Sequence, residues 1–377
     1  MTDLEHILPL WNELESSGAD YVLATVVAVE GSSYRRPGAR MLLAQDGRRA
    51  GTVSGGCLEA EVAKRAWWLT SNGPVVERYS TLDDDGDLPY GSGCGGVVYI
   101  LLERRKTAGA LLHALKAAWD VRKPLAIATV LEGARIGGRV FAGLGLRDEA
   151  NATEDLLLRD LAEEAFDRRA SIDRRIQVEG TPTRVWVDYR AARPGLWIFG
   201  AGDDARPLLR LARELGWFVA IADGRSHLAT QSRFPAADVV QTLAIDLLPN
   251  PAQHLPLLPT DAAVLVTHSF EQDSRILASL IADTGAFPFA YVGVLGPQRR
   301  TREALAEAAR LLHLEPTADR VEGWLAQLHA PTGIDLGADT SASIALSILA
   351  EIQQTLSAAT ALPLRHVRAT KLTVTQD

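Results

Sequence analysis

Cysteine is nearly absent from this 377-residue chain: Cys57 and Cys94 are its two thiols, too few for a disulfide scaffold at this length. A run of about 18 consecutive apolar residues, the minimum for a membrane-crossing helix, is missing as well, and stretches such as Tyr21 to Val29 have the length of strands. Basic charge is not in excess. Asp and Glu number 47 against 39 Lys and Arg, a net charge of −8, so the counterion release behind generic nucleic-acid binding is not favoured overall. The opening residues, Met1-Thr-Asp-Leu-Glu-His6, lack the basic, apolar and small-residue pattern of a secretory leader. These absences predict a reducing, cytoplasmic location, with neither membrane nor nucleic acid as partner. No Cys and His cluster has zinc spacing, and neither a Gly-x-Ser-x-Gly elbow nor a phosphate loop with its lysine occurs, so no metal ligand or catalytic residue is assigned on those grounds.

What is present is ordinary globular composition, with 47% hydrophobic and 23% charged residues and length for two domains. Leu4, Ile7, Leu8, Trp11 and Leu14 recur three and four apart and predict an amphipathic helix ending near Gly18. Tyr21–Val29, Arg40–Ala44 and Arg49–Val53 read as strands, the last two joined by an Asp46-Gly47 turn. Helices over about 58–69, 108–119 and 151–168 alternate with strands at Val75–Tyr79, Val97–Leu102 and Leu125–Leu131, and residues 189–194 read as a connector. After Gly195 strands, glycine turns and helices repeat, the pattern of a parallel sheet covered on both faces: strands at 196–199, 218–222, 262–267 and 290–294, helices at 204–215, 271–283 and 299–312, and a last helix from Thr340. The fold class is therefore α/β, a mixed N-terminal domain over 1–190 followed by a doubly wound, Rossmann-like domain over 191–377.

Five motifs are candidates for chemistry. Gly200-Ala-Gly202-Asp-Asp-Ala205 follows a strand and opens a helix, and Asp223 ends the next strand about 20 residues on, where it would accept from ribose hydroxyls. Asp203 and Asp204, however, put negative charge where a pyrophosphate uses the positive helix end, which leaves both a nicotinamide or flavin site and a structural turn open. Ser54-Gly55-Gly56-Cys57-Leu58-Glu59 offers backbone N–H groups to an anion and a cysteine at a helix start, where the thiol pKa falls; a small capping cysteine is the plainer reading. Gly91-Ser-Gly93-Cys94-Gly95-Gly96 is so rich in glycine that close approach to a ligand is expected, with a hairpin or bulge as the alternative. Gly31-Ser-Ser-Tyr-Arg35-Arg36-Pro-Gly-Ala-Arg40 brings hydroxyls and three arginines suited to phosphate or carboxylate, or else is a solvated hairpin. Thr267-His268-Ser269 lies at a strand end where open α/β sheets bind ligands.

In order along the chain, the Gly31–Met41, Ser54–Glu59 and Gly93–Gly96 motifs resemble the N-terminal signature of the XdhC/CoxI family, xanthine dehydrogenase accessory proteins. Phe199–Gly202, Ala222–Arg225, Arg233–Asp238, Thr267-His268, Tyr291–Gly293 and Pro331–Gly337 resemble the family's Rossmann-like domain. The resemblance implies a chaperone that holds the molybdenum cofactor, as molybdopterin or a dinucleotide form, for sulfuration by a cysteine desulfurase and insertion into an apo molybdenum hydroxylase. It implies a binding protein rather than a catalyst, and a homo-oligomer. Arg40, Ser54, Gly55, Gly56, Cys57, Cys94, Gly95 and Gly96 are the expected cofactor site, with Gly200, Gly202 and Asp223 in the second domain. The chain carries Asp203 where the family commonly has histidine, and Tyr34 where it commonly has proline. Two rival functions fit the same residues: an NAD(P)-dependent oxidoreductase using Gly200, Gly202 and Asp223, and a thiol enzyme using Cys57 with Cys94 as resolving partner.

Overall fold

The computed structural model describes residues 2–56, 58–80, 96–133, 135–145, 153–178, 181–243, 255, 258–281, 287 and 289–367. Contacts divide the chain into two units, Met1–Arg193 and Pro194–Asp377.

The first unit is built around β1 (Tyr21–Gly31), which sits in the middle of an antiparallel sheet of order β3-β2-β1-β5-β4. Its partners are β2 (Arg40–Ala44), β3 (Arg49–Gly51), β4 (Val75–Ser80) and β5 (Gly96–Arg104). Strand β1 reads as a nearly continuous apolar run because both of its faces are covered. Tyr21 and Leu23 pack with α1 (Thr2–Ser17) and α3 (Arg105–Val121), whereas Val22, Ala24 and Val26 pack with α2 (Glu59–Leu69). The predicted stripe of α1 is its buried face: Leu4, Ile7, Leu8, Trp11 and Leu14 all lie in that core. A second antiparallel sheet, β7-β6-β9-β8, comprises β6 (Leu125–Val130), β7 (Arg139–Ala142), β8 (Ile172–Val178) and β9 (Thr181–Arg190), with α4 (Thr153–Arg168) packed on it.

The second unit is a five-stranded parallel sheet of order β12-β11-β10-β13-β14, made of β10 (Gly195–Phe199), β11 (Phe218–Asp223), β12 (Val239–Thr242), β13 (Ala262–Leu265) and β14 (Tyr291–Val294). Leu196 and Ile198 face α5 (Ala205–Glu214) and α9 (Ser341–Ser357). Trp197 and Phe199 point the other way, toward α6 (Phe270–Ile281), α7 (Gln298–Leu311) and α8 (Ala318–Leu325). The chain order reverses between β10 and β13, so the ends of those strands flank the crevice in which doubly wound sheets take ligands.

The α/β class, a mixed α/β unit followed by a doubly wound parallel one, matches the sequence reading; that both sheets of the first unit are antiparallel is seen only in the structure. Strands β7, β8, β9 and β12 and helix α8 go beyond it. Residues 189–194 read as a connector in the sequence, but Tyr189 and Arg190 end β9, paired with Ala126 and Leu125. Strand β8 is hard to see in sequence because it is an edge: Asp173, Arg174 and Arg175 are exposed, and its ladder is set by β9 rather than by its own apolar period.

Candidate functional site

The antiparallel order of the first sheet sends the C-terminal ends of β1, β3 and β4 and the N-terminal ends of β2 and β5 to one side. Segments far apart in sequence meet there: the Gly31–Arg40 loop, the Ser54–Gly56 turn and Gly96. Gly31 pairs with Gly96, and a Cβ on Gly96 would lie 2.2 Å from the Ser32 carbonyl oxygen, so only glycine lets β5 start against the β1–β2 loop. Gly55, at φ +93°, lies against the Tyr34 ring, which an added Cβ would meet at 2.6 Å. Gly56, at φ +124°, faces open space. The structure thus joins Ser54, Gly55, Gly56 and Gly96 to the Gly31–Arg40 loop. Cys57, Cys94 and Gly95 are chain neighbours of these residues and lie outside the described residues.

The N–H groups of the Ser54–Gly56 turn, expected to be open to an anion, are already occupied. The Glu59 carboxylate folds back over the turn, with Oε1 accepting from the backbone N of Val53, Ser54 and Gly55 at 3.0, 2.9 and 3.1 Å. Its Oε2 accepts from Gly56 N at 2.8 Å and Ser54 Oγ at 2.6 Å, and the Thr52 hydroxyl also donates to Oε1. Burial pushes the pKa of this carboxyl up, but the Ser54 and Thr52 hydroxyls and the backbone donors outweigh burial and hold it at about 2. In the sequence Glu59 stands only as the last residue of the motif. A signal for its role is present there, since an acid just inside a helix start and a few residues past a Ser-Gly-Gly turn is placed to reach back to it.

The three arginines of the β1–β2 loop have different tasks. Arg35 pairs with Asp3. Arg40, buried, donates from Nη2 to Asp188 Oδ2 at 2.7 Å and from Nη1 to the Gly38 carbonyl at 3.1 Å, and Arg190 Nε reaches the same Asp188 oxygen at 2.8 Å. Burial pushes the Asp188 carboxyl up, yet the Arg190 and Arg40 charges carry it below its ordinary value. Arg40 therefore fixes the loop from inside and is turned away from solvent. Arg36 is exposed, carries no ion pair among the described residues, and lines a cavity of about 380 Å³ with Val29, Pro37, Asp173, Arg184 and Trp186.

In the second unit Gly200, at φ +125°, has its N–H on the Ala222 carbonyl, and a Cβ there would meet the Val266 carbonyl oxygen at 2.6 Å. Gly202 has open space beside it. Asp223 is fully buried. Its Oδ2 accepts from Ala201 N at 2.6 Å and Arg225 Nη2 at 2.7 Å, and its Oδ1 from Arg225 N and Nε at 2.8 and 3.0 Å. A ribose would have to displace Arg225 to reach this carboxylate. At the crevice mouth Asp204 accepts from Ser341 Oγ at 2.6 Å and bonds His268 Nε2 at 2.8 Å; both lower its pKa, Ser341 the more. His268 adopts φ +58°, a left-handed conformation uncommon for a residue with a side chain. Sequence alone places His268 at this strand end but misses Ser341 and Arg225 as partners, because such contacts leave no local period. No group of three His, Cys, Asp or Glu among the described residues is placed to hold a metal ion, and none of their helices is long and apolar enough to cross a membrane.

A doubly wound Rossmann unit with a glycine turn, following in sequence a unit whose antiparallel sheet brings Gly31, Gly55 and Gly96 to one end, defines a class of two-unit α/β proteins. Family models described as XdhC Rossmann domain and XdhC and CoxI family match residues 196–352 and 14–80 respectively. The chain is 30% identical to a Bacillus subtilis protein named as a probable xanthine dehydrogenase subunit, over 89% of this chain and 92% of that protein. It is 27% identical to the molybdenum cofactor insertion chaperone PaoD of Escherichia coli, over 93% of this chain and 88% of that protein. A crystal structure described as a xanthine dehydrogenase from Bacillus halodurans superposes with a TM-score of 0.68 at 26% identity, covering 96% of this chain and 97% of that one. The chain belongs to the XdhC and CoxI family.

Proposed function

We propose that this protein is an accessory factor of a xanthine dehydrogenase-like molybdenum hydroxylase, which binds the molybdenum cofactor, holds it for sulfuration by a cysteine desulfurase and passes it to the apo-enzyme. The observation that carries this reading is the meeting of the Gly31–Arg40, Ser54–Gly56 and Gly96 segments at one end of the N-terminal sheet. The names of the relatives from Bacillus subtilis and Escherichia coli support it.

The described residues fit a pterin ligand. The backbone at Gly55 and Gly56 is exposed without Cβ atoms, the Tyr34 ring is 75% exposed and offers a flat face to a planar heterocycle, and Arg36 offers a cation without a carboxylate partner among the described residues. Cys57 and Cys94 supply soft sulfur donors from the same motifs. When bound, the cofactor brings its own redox-active metal centre, and the chain's residues bind, orient and shield it. The reading includes a cytoplasmic location and assembly into a homo-oligomer.

The test replaces Cys57 and Cys94 by serine, singly and together, and follows cofactor retention and activation of a co-expressed apo-hydroxylase. Loss of both is expected; unchanged retention with unchanged activation would remove the two thiols from the site and contradict the reading.

A further inference from the structure

The Ser54–Gly56 turn has the geometry of an anion cradle and already contains an anion. A carboxylate has about four acceptor positions. Six donors from Thr52, Val53, Ser54, Gly55 and Gly56 converge on Glu59, so its capacity is filled. The hydroxyls tie the arrangement in both directions. Thr52 Oγ1 also accepts from Gly55 N at 3.0 Å, and Ser54 Oγ also accepts from Leu58 N at 2.8 Å, at the start of α2. Glu59 is itself buried, 4% exposed, on the first turn of that helix. A phosphate entering the turn would find every amide engaged and a buried negative charge beside it, and two anions this close repel.

We propose that Glu59 is a positioning residue whose carboxylate is the resident anion of the Ser54–Gly56 turn, so that the turn presents its glycine backbone to the ligand while the ligand's phosphate is held elsewhere. This rests on the pterin-binding reading above and narrows it: the phosphate contact falls to cations such as Arg36, and the turn contributes shape. Glu59 does not touch the ligand. It fixes the backbone that does.

The test uses the full-length protein and its Glu59→Ala and Glu59→Gln variants, with formate and inorganic phosphate as probes. In Glu59→Ala the emptied cradle should take formate or phosphate, seen as a rise in melting temperature with anion concentration and recovered exchange protection of the Gly55 and Gly56 amides. In the wild-type protein, its cradle filled, neither anion should change exchange at the Gly55 and Gly56 amides beyond a chloride control. In Glu59→Gln, which keeps the shape but loses the charge, exchange at those two amides should rise about tenfold or more while the β1–β5 ladder is unchanged. Molybdenum retained per chain in Glu59→Ala should increase with formate, a rescue that general destabilisation would not produce. Stabilisation of the wild type by phosphate at these amides would overturn the proposal, as would unchanged amide exchange in Glu59→Gln. The exchange and melting arms involve no molybdenum, so a protein that passes them yet never takes up the cofactor would refute the accessory function and leave the role of Glu59 standing.

Discussion

At Glu59 the charge of one side chain replaces a bound ligand in organising a loop. Its folded pKa of about 2 lies below the ordinary carboxylate value, so its contribution to stability is present above about pH 4.5 and is lost as pH falls toward 2. A shift of that size corresponds to roughly 3 kcal/mol. Glu59→Gln should therefore flatten the fall in urea midpoint between pH 5 and pH 3, where the wild type loses stability; parallel curves would remove Glu59 from that role. Asp188 shows the opposite logic, in which a buried carboxylate serves two guanidiniums. Asp188→Ala leaves the Arg40 charge buried without its partner and should cost about 3–5 kcal/mol in urea unfolding, far more than removal of an exposed pair such as Asp46 with Arg48. The glycines and hydroxyls of the site are visible in the sequence as motifs. Its internal partners are not, since Arg40 finds Asp188 across 148 residues and nothing local announces that bond.

At the scale of elements, glycine positions that look alike in a motif separate by what surrounds them. Gly200→Ala places a Cβ 2.6 Å from a carbonyl oxygen at φ +125° and should destabilise the protein by more than about 1 kcal/mol. Gly202→Ala, with nothing within 4 Å, should unfold within about 0.5 kcal/mol of wild type. Equal losses at the two positions in urea titration would contradict the assignment of Gly200 to strand packing and Gly202 to the open crevice. Thr340 is the N-cap of α9 in a capping box with Ser343, and Thr340→Ala should cost about 1 kcal/mol in the same assay. That cap is readable from the residue type, as are α1, the β2–β3 hairpin and the strands of the parallel sheet other than its edge β12, because apolar period and turn chemistry agree in them. The edge strands β8 and β12 are not, because their residues are exposed or half-buried and leave no apolar run to read, unlike the fully buried edge β14.

For the whole molecule, the acidic balance and scarcity of cysteine take on meaning from where the exceptions sit. Both thiols belong to the glycine motifs of the first unit; the Glu59 carboxylate fills the Ser54–Gly56 turn, and Asp204 puts a further negative charge at the start of α5, bound to Ser341 and His268. A dinucleotide is poorly served by that arrangement, whereas a pterin gripped by backbone, ring, cation and thiol is compatible with it. Carriage of the molybdenum cofactor by this chain is tested by molybdenum and pterin content per chain in protein purified from a molybdate-fed host. Pterin and molybdenum are expected in comparable amounts that fall together when Cys57 and Cys94 are replaced. Molybdenum near zero, with no pterin taken up from added cofactor, would contradict it.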